Sequence, residues 1–303
     1  MKLVAENRQF VSWMTGITHV ATIHPSAVIS PLAKLAHDVS IGPFCTVEAG
    51  VELGPGCRLD ARVTIKEGAT LGQGNEIGEG AVIGGRAQHV HNGPAGGRLV
   101  VGDYNKIREY VTMHRAFKPE DCTRVGSHNM FMVGSHVAHD CVVGDHIVAV
   151  NNALFGGHVH VGDRAFIGGA VGIHQFCRIG ASAMVGATIK IVKDVPPYVM
   201  VDGTPARVVG LNKIGLRRSG MEPADMQQLK DAYRLIYRRG LRWKEVLETL
   251  PVEFSSGPAA SYLEFFLTGK RGFTPERRTP KSALLRLVAD DVNESEDRRS
   301  EAA

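Results

Sequence analysis

The fold is decided by residues 41–84, which read IGPFCTVEAGVELGPGCRLDARVTIKEGATLGQGNEIGEGAVIG. An aliphatic residue recurs here at every sixth position: Ile41, Val47, Leu53, Leu59, Ile65, Leu71, Ile77 and Ile83. A period of six is neither helical nor that of a simple strand, but it fits a short strand followed by a tight turn. Three such units close one coil of a parallel β-helix. We therefore predict a mainly β fold of hexapeptide repeats whose aliphatic side chains point inward.

The repeat continues on both sides of this stretch. It begins at Ile23 and reaches Ile191, with loop insertions predicted near 84–98 and 115–124. It stops at Val195-Pro196-Pro197, because proline removes a backbone donor from the strand ladder. The β-helix domain is therefore predicted to span residues 20–200.

Two residue types repeat with the aliphatic position. Glycine often follows it directly, and we interpret these glycines as supplying backbone dihedrals that a corner requires. The fourth position after it carries small residues, among them Cys45, Cys57, Cys141 and Cys177. These four cysteines are predicted to be small core fillers without a redox role.

The composition excludes several classes of protein. The chain has 303 residues, five cysteines without a CxxC pair, and a formal net charge of +4. These features argue against a zinc ribbon, a disulfide framework and a nucleic-acid partner. No apolar run approaches a membrane span, and the N-terminal residues lack a signal-peptide core, so we predict a cytoplasmic protein without membrane insertion.

The C-terminal third differs in kind from the repeat. Apolar residues recur at helical spacing between about 222 and 250, which predicts two helices within a small helical domain over 201–272. Residues 1–19 form an N-terminal extension. Residues 273–303 are rich in charge and poor in apolar side chains, and they are predicted to be a disordered tail.

Several histidines are predicted to meet at one edge of the β-helix. Residues eighteen apart lie on neighbouring coils about 4.8 Å apart, so Val137, Phe155 and Ile173 stack. If the second insertion leaves and re-enters the wall, Met113 lies beneath Val137. This alignment gathers five histidines: His114, His136, His139, His158 and His174. Both insertions leave from the same edge, which is the arrangement expected of a functional site.

Two chemistries could use such a cluster. A neutral histidine is the usual general base for a hydroxyl that attacks a carbonyl, and Asp140 beside His139 is a candidate partner. Alternatively, three histidines on adjacent coils or subunits could bind zinc with an open fourth position, as in a hydratase. A purely structural solenoid is the third possibility.

Six segments carry a family resemblance. They are IREYVTMHR at 107–115, VAHDC at 137–141, NNALFGGHV at 151–159, IHQFC at 173–177, DVPPYV at 194–199 and AYRLIYR at 232–238. Together they resemble the UDP-N-acetylglucosamine O-acyltransferases of lipid A biosynthesis over about residues 20–270. The resemblance implies a cytoplasmic homotrimer of left-handed β-helices with active sites between subunits. It also implies transfer of a 3-hydroxyacyl chain from acyl carrier protein to a UDP-sugar hydroxyl, without metal or cofactor.

The resemblance assigns roles residue by residue. It implies that His139 is the general base, Asp140 its partner, and the Gly157 amide the oxyanion contact. The residues matching substrate-binding positions, with His114 added from the cluster, are His114, His136, His158, His174, Gln175, Asn212 and Arg218. Arginines of the helical domain are expected to help dock the acidic carrier protein.

The chain departs from the family pattern at the first insertion. The family shows Gln-Asp-x-Lys where this chain reads Gln88, His89, Val90 and His91. The substitutions change charge and reach at the acceptor sugar, so a 3-amino sugar that would give an amide product is an open alternative. Ala187 occupies the position associated with acyl-chain length, which leaves the chain length unassigned.

Overall fold

The computed structural model describes residues 21–90 and 96–277. Within them, short strands form three sheets that are the three sides of a prism. Each coil contributes one strand to the first sheet, one to the second and one to the third. All strand pairs are parallel except the last pair of the first sheet, β27 and β28.

The strands of each sheet are given in order of stacking. The first sheet contains β1 Thr22–Ile23, β4 Ser40–Ile41, β7 Arg58–Leu59, β10 Glu76–Ile77, β13 Lys106–Ile107, β16 Met130–Phe131, β19 Val148–Ala149, β22 Phe166–Ile167, β25 Met184–Val185, β27 Val199–Asp202 and β28 Arg207–Leu211. The second sheet contains β2 Val28–Ile29, β5 Thr46–Val47, β8 Thr64–Ile65, β11 Val82–Gly85, β14 Thr112–His114, β17 His136–Val137, β20 Leu154–Phe155, β23 Gly172–Ile173 and β26 Lys190–Ile191. The third sheet contains β3 Lys34–Leu35, β6 Glu52–Leu53, β9 Ala69–Leu71, β12 Arg98–Val101, β15 Cys122–Val125, β18 Val142–Val143, β21 His160–Val161 and β24 Arg178–Ile179.

The register confirms the alignment predicted across the interruptions. Ile83 pairs with Met113, and Met113 pairs with Val137. Val137 in turn pairs with Phe155, which pairs with Ile173. The turns that join each strand of the second sheet to the next strand of the third sheet therefore lie above one another. We call this edge the histidine corner.

Both insertions leave the wall at the histidine corner, as predicted. The first joins β11 to β12 and the second joins β14 to β15. The second insertion is shorter than predicted, because residues 122–124 belong to β15 and pair with β12. Cys122 is accordingly a strand residue with partial burial.

The core confirms the inward-facing pattern. The aliphatic residues of the repeat from Ile41 onward are buried, and so are Cys45, Cys57, Cys141 and Cys177. Burial raises the pKa of the Cys141 thiol to about 12, so it is un-ionised at neutral pH. This agrees with a core-filling role.

The interpretation of the glycines that follow the aliphatic residues holds at Gly84, whose φ is 86°, and was wrong for the others. Gly54 and Gly144 do not have positive φ; instead, a Cβ on Gly54 would lie 2.6 Å from the Gly72 carbonyl carbon. On Gly144 it would lie 2.2 Å from Asp163 Oδ1. These glycines permit close stacking of coils. The left-handed conformation falls two residues later, as at Asp140 with φ of 60° and His158 with φ of 58°.

The first sheet continues past the two prolines, which corrects the predicted domain boundary at residue 200. β27 extends the sheet in parallel and β28 turns back antiparallel to it. The helices follow as α1 Lys213–Arg218, α2 Pro223–Arg238, α3 Trp243–Glu253, a 3₁₀ turn Pro258–Ala260 and α4 Ser261–Leu267. α2 and α3 are the two predicted helices, whereas α1 and α4 are too short to show a clear sequence period.

The ordered C-terminal segment extends beyond the predicted start of the tail at 273. Thr274 and Glu276 are buried, and Phe273 bridges to Asp194 of the β-helix. The rest of the predicted tail, 278–303, and the N-terminal extension 1–19 lie outside the described residues. Among the described helices, none combines the length and apolarity needed to cross a membrane.

Candidate active site

His139 and Asp140 form a hydrogen-bonded pair in the turn after β17. Val137, the last residue of β17, points into the core. The residues after it form the turn at the histidine corner, in which Asp140 takes the left-handed conformation. His139 Nδ1 lies 2.6 Å from Asp140 Oδ2. Both side chains are less than a tenth exposed. The carboxylate therefore orients the imidazole and leaves Nε2 as the nitrogen available for proton transfer.

Asp140 is held by residues from the second insertion and from β15. Its Oδ2 also accepts a hydrogen bond from the Phe117 backbone N–H at 3.2 Å. Its own N–H donates to Thr123 Oγ1 at 2.8 Å. His158 Nε2 lies 3.7 Å from the same Oδ2. Phe117 and Thr123 were not predicted from the sequence, because a backbone donor and a buried hydroxyl leave no local motif.

Gly157 lies directly beneath the His139 ring. A Cβ at this position would lie 2.8 Å from His139 Nε2 and from Cε1, so only glycine leaves room for the imidazole. The Gly157 carbonyl accepts from the Phe176 N–H at 3.0 Å. In the described part of the chain, the Gly157 N–H has no backbone acceptor. Gly157 thus packs against the His139 ring, and its N–H is not used by a backbone acceptor of the described residues.

The other predicted histidines of the corner form a connected set. The His158 ring packs edge-on to His139, with ring centroids 5.3 Å apart, and stacks on Phe176. His136 Nδ1 lies 2.7 Å from Thr112 Oγ1. The His114 and His136 rings meet at 5.0 Å in a T-shaped contact. The structure therefore brings together four of the five clustered histidines.

Burial keeps the flanking histidines neutral. Desolvation, with smaller contributions from His114 and His139, lowers the pKa of His136 to about 4. Desolvation also lowers the pKa of His114 and of His158, the latter against the opposing effect of Asp140. A positive charge on His139 would consequently meet these neutral histidines and the Asp140 carboxylate.

The first insertion brings His89 to the dyad. Its ring centroid lies 5.8 Å from that of His139 and 4.4 Å from that of Phe117. Gln88 is exposed next to it. His91 lies outside the described residues. His89, where the chain departs from the family pattern, therefore lies beside the His139–Asp140 pair.

His174 and Gln175 lie two coils from the dyad on the same corner. His174 Nδ1 lies 3.1 Å from the Gln175 carbonyl oxygen and 3.1 Å from Arg271 Nη2. Gln175 is exposed. Arg271 follows α4 and was not predicted, because nothing local in the sequence places it at the β-helix.

Three predicted residues lie away from the histidine corner of the same chain, two at other corners and one on α1. Ala187 is in a turn that joins the first sheet to the second. Asn212 is largely buried, and its Oδ1 caps α1 by accepting from the Gly215 N–H. Its Nδ2 donates to the Ser182 carbonyl, which lies at the corner between the third and first sheets. Arg218 is exposed in the last turn of α1. Within one chain these residues are not assembled with the dyad.

His139, Asp140 and His158 also offer ligand atoms within 4.8 Å of one another, as a metal site would require. However, His139 Nδ1 and Asp140 Oδ2 are only 2.6 Å apart. Two ligands of a tetrahedral zinc ion are separated by about 3.3 Å, given zinc–ligand distances near 2.0 Å. The geometry therefore fits a shared proton better than a shared zinc ion.

Comparisons with known proteins identify the family. Residues 194–274 match the family described as "Udp N-acetylglucosamine O-acyltransferase; Domain 2", and residues 50–85 match the bacterial transferase hexapeptide repeats. The chain is 46% identical over 255 residues to the acyl-(acyl-carrier-protein)–UDP-N-acetylglucosamine O-acyltransferase of Thiobacillus denitrificans, covering 84% of this chain and 99% of the relative.

Solved structures give the same result. LpxA from Acinetobacter baumannii is 39% identical with a TM-score of 0.80, and the match covers 83% of this chain and 99% of that one. The UDP-N-acetylglucosamine acyltransferase of Francisella novicida is 34% identical with a TM-score of 0.83, covering 86% and 98%. The fold is thus a left-handed parallel β-helix with a small C-terminal helical domain. The chain belongs to the UDP-N-acetylglucosamine O-acyltransferase family.

Proposed function

We propose that this enzyme transfers a 3-hydroxyacyl chain from acyl carrier protein to the 3-hydroxyl of UDP-N-acetylglucosamine, the first step of lipid A biosynthesis. The observation that carries the proposal is the 2.6 Å contact between His139 Nδ1 and Asp140 Oδ2, next to Gly157, where a side chain would collide with His139 Nε2. Membership of the family supports the choice of substrates.

In the proposed mechanism His139 acts as a general base. Its Nε2 takes the proton from the sugar hydroxyl as that oxygen attacks the thioester carbonyl carbon. The Gly157 N–H stabilises the resulting oxyanion, and Asp140 stabilises the imidazolium. When the intermediate collapses, the carbon–sulfur bond breaks and the imidazolium returns its proton to the departing thiolate. The step needs no redox partner, and we propose that it proceeds without a metal or cofactor.

We propose that three chains assemble around a shared axis. The dyad lies at the histidine corner, whereas Ala187 and Asn212 lie at other corners and Arg218 lies on α1. A cleft containing all of them therefore requires a neighbouring chain. The outer face of the first sheet supports the assembly because it carries an in-register apolar column, whose members are Met130, Val148, Phe166, Met184 and Met200. Apolar faces of this kind are typical of interfaces between copies of a chain.

Two arginines of the helical domain are the best candidates to bind the carrier protein. Arg234, Arg238 and Arg239 are engaged with acidic side chains of this chain. Arg217 and Arg218, adjacent and exposed on α1, have no recorded ion pair among the described residues. They can therefore attract an acidic partner through long-range steering. A cytoplasmic location completes the proposal, and the five free cysteines are consistent with a reducing compartment.

The deciding experiment is a mass-spectrometric acyl-transfer assay. Purified protein is given 3-hydroxyacyl carrier proteins of several chain lengths with either UDP-N-acetylglucosamine or its 3-amino analogue. We expect ester product from the hydroxyl sugar, absent in His139→Ala, and unchanged after chelation of divalent metals. Product from the amino sugar alone would assign the chain to amide formation and give His89 the specificity role. Loss of activity on chelation would favour the zinc alternative.

Assembly is tested separately by light scattering. One chain has a mass of 32.7 kDa, and we expect the particle in solution to have about three times this mass. A fully active monomer would contradict the shared cleft. Met184→Glu on the apolar column is expected to shift the protein toward monomer and reduce transfer. Exposed Val252→Glu on α3 is the matched control and should change neither property.

A further inference from the structure

The segment after α4 returns to the β-helix and is fixed there by backbone hydrogen bonds. The Asp194 N–H donates to the Gly272 carbonyl at 2.9 Å, and the Thr274 N–H donates to the Asp194 carbonyl at 2.8 Å. The Asp194 side chain is fully buried and accepts from Arg178 Nε at 2.8 Å. These contacts place Arg271 at a defined position on the β-helix.

Arg271 faces the half-buried His174. Its Nη2 lies 3.1 Å from His174 Nδ1 and 3.4 Å from the Val192 carbonyl oxygen. A guanidinium group donates hydrogen bonds but cannot accept them. The contact is therefore favourable only when His174 Nδ1 carries no proton, which places the ring proton on Nε2.

A second contact requires the opposite tautomer. The same Nδ1 lies 3.1 Å from the Gln175 carbonyl oxygen, which accepts but cannot donate. If Nδ1 were protonated it would donate to this oxygen, and Nε2 would become an acceptor. His174 thus has two local partners that select different tautomers, and the charged partner forms the stronger hydrogen bond.

We propose that Arg271 is a positioning residue that fixes His174 as the Nε2–H tautomer. His174 then presents a hydrogen-bond donor on the side of the ring opposite Arg271. Its ligand is an oxygen acceptor, such as a carbonyl, hydroxyl or phosphate oxygen of the bound substrate. The substrate part of this inference rests on the proposed function, whereas the tautomer itself does not.

The tautomer is measured directly by nitrogen NMR of the full chain labelled with ¹⁵N-histidine. His174→Gln identifies the signals of His174 by their loss. The wild-type protein is expected to show a neutral Nε2–H ring. Arg271→Ala is expected to shift it toward Nδ1–H, because Gln175 then becomes the remaining partner, and Arg271→Lys should retain Nε2–H. A wild-type Nδ1–H ring, or the same tautomer in wild type and Arg271→Ala, would overturn the proposal.

Kinetics tests the consequence for substrate binding. In Arg271→Ala, loss of the His174 Nε2–H donor is expected to lower kcat/KM about 10-fold, in keeping with one hydrogen bond to substrate. Arg271→Lys should recover most of this loss. Lys270→Ala removes the same charge from the exposed neighbouring residue and should leave kcat/KM within about twofold. Equal losses in Arg271→Ala and Lys270→Ala would show a general charge effect and contradict the specific role.

The two measurements separate the possible failures. If the wild-type chain shows no acyl transfer, the proposed function fails while the NMR result still decides the tautomer. Melting temperatures of the variants within about 3 °C of wild type exclude a folding defect. If Arg271→Ala does not fold, Arg271→Lys compared with His174→Gln tests the same contact.

Discussion

Two corners of the β-helix carry a histidine and an aspartate next to each other, in opposite order. At the histidine corner, His139 precedes Asp140. At the corner between the third and first sheets, Asp145 precedes His146. The second residue of each pair has positive φ, 60° at Asp140 and 57° at His146, so the backbone is the same at both places.

The order of the two residues determines what they do. Asp145 Oδ1 accepts the Ser127 N–H of the preceding coil at 2.6 Å, and Asp163 caps Asp145 in the same way. The aspartate there holds the coils together, and the exposed His146 ring stacks parallel on His128. At the histidine corner, the aspartate instead accepts from the imidazole. The same two side chains therefore form a structural cap in one order and a hydrogen-bonded histidine–aspartate pair in the other.

Replacing the aspartate at each corner sharpens this comparison with the largest expected effect. Asp140→Asn keeps the shape and tolerates positive φ, but it removes the charge that stabilises the His139 imidazolium. We expect kcat to fall on the order of 10³-fold. Asp145→Asn retains an oxygen acceptor for the Ser127 N–H and should leave kcat within about twofold. The acyl-transfer assay measures both, and equal effects would show that the order of the residues does not matter.

The next comparison is between two glycines, Gly157 at the histidine corner and Gly169 at the corner between the first and second sheets. Gly157→Ala places a methyl group 2.8 Å from His139 Nε2, which displaces the proposed base. We expect kcat to fall about 100-fold, within the range that a positioned general base contributes. Gly169 has the same position in its repeat at another corner, where a Cβ would make an ordinary 3.4 Å contact. Gly169→Ala should therefore be almost fully active; a comparable loss would contradict the special role of Gly157.

These differences show how much of the molecule could be predicted from the sequence. The six-residue period predicted the coils, and counting by eighteen stacked Val137, Phe155 and Ile173. Met113 was placed beneath Val137 by treating the second insertion as a loop that leaves and re-enters the wall, and this alignment gathered the histidines. The contacts that complete the site could not be predicted. The Phe117 N–H and Arg271 reach it from a loop and from beyond the last helix, and neither position follows the period.

The interpretation of the glycines and the predicted domain boundary differ from the structure for different physical reasons. The sequence shows that glycine recurs, but not whether a turn needs positive φ or a neighbouring coil needs space. Gly144 is explained only by Asp163 on the next coil. Likewise, the two prolines do end the hexapeptide period, yet β27 still pairs with β25 because its backbone groups remain available on that side.

Burial also distinguishes the two corners, which predicts a difference in pH dependence. The pKa of His136 is about 4 in the folded chain, below its unfolded value of 6.5, so the unfolded state binds the proton more tightly. Its contribution to stability is present above pH 6.5 and is lost as the pH falls toward 4. Between pH 7 and pH 5 we expect the free energy of unfolding to drop by about 2 kcal/mol from this residue.

Denaturant unfolding at the two pH values measures this drop. His136→Asn should reduce it, whereas His146→Asn, at the exposed corner, should leave it unchanged. An identical drop in wild type and His136→Asn would assign the pH dependence to other groups.

The smallest expected effect concerns Phe117, which lies in the loop that covers the histidine corner. Phe117 contributes its backbone N–H to Asp140 and its ring to the contact with His89, whose centroid is 4.4 Å away. Phe117→Ala removes only the ring contact and should lower kcat/KM about fivefold, the value of one aromatic pair. Phe44→Ala removes an exposed ring at a different corner and serves as the control. A normal kcat/KM in Phe117→Ala would mean that His89 is placed by its own loop, and that Phe117 acts on the dyad through its backbone alone.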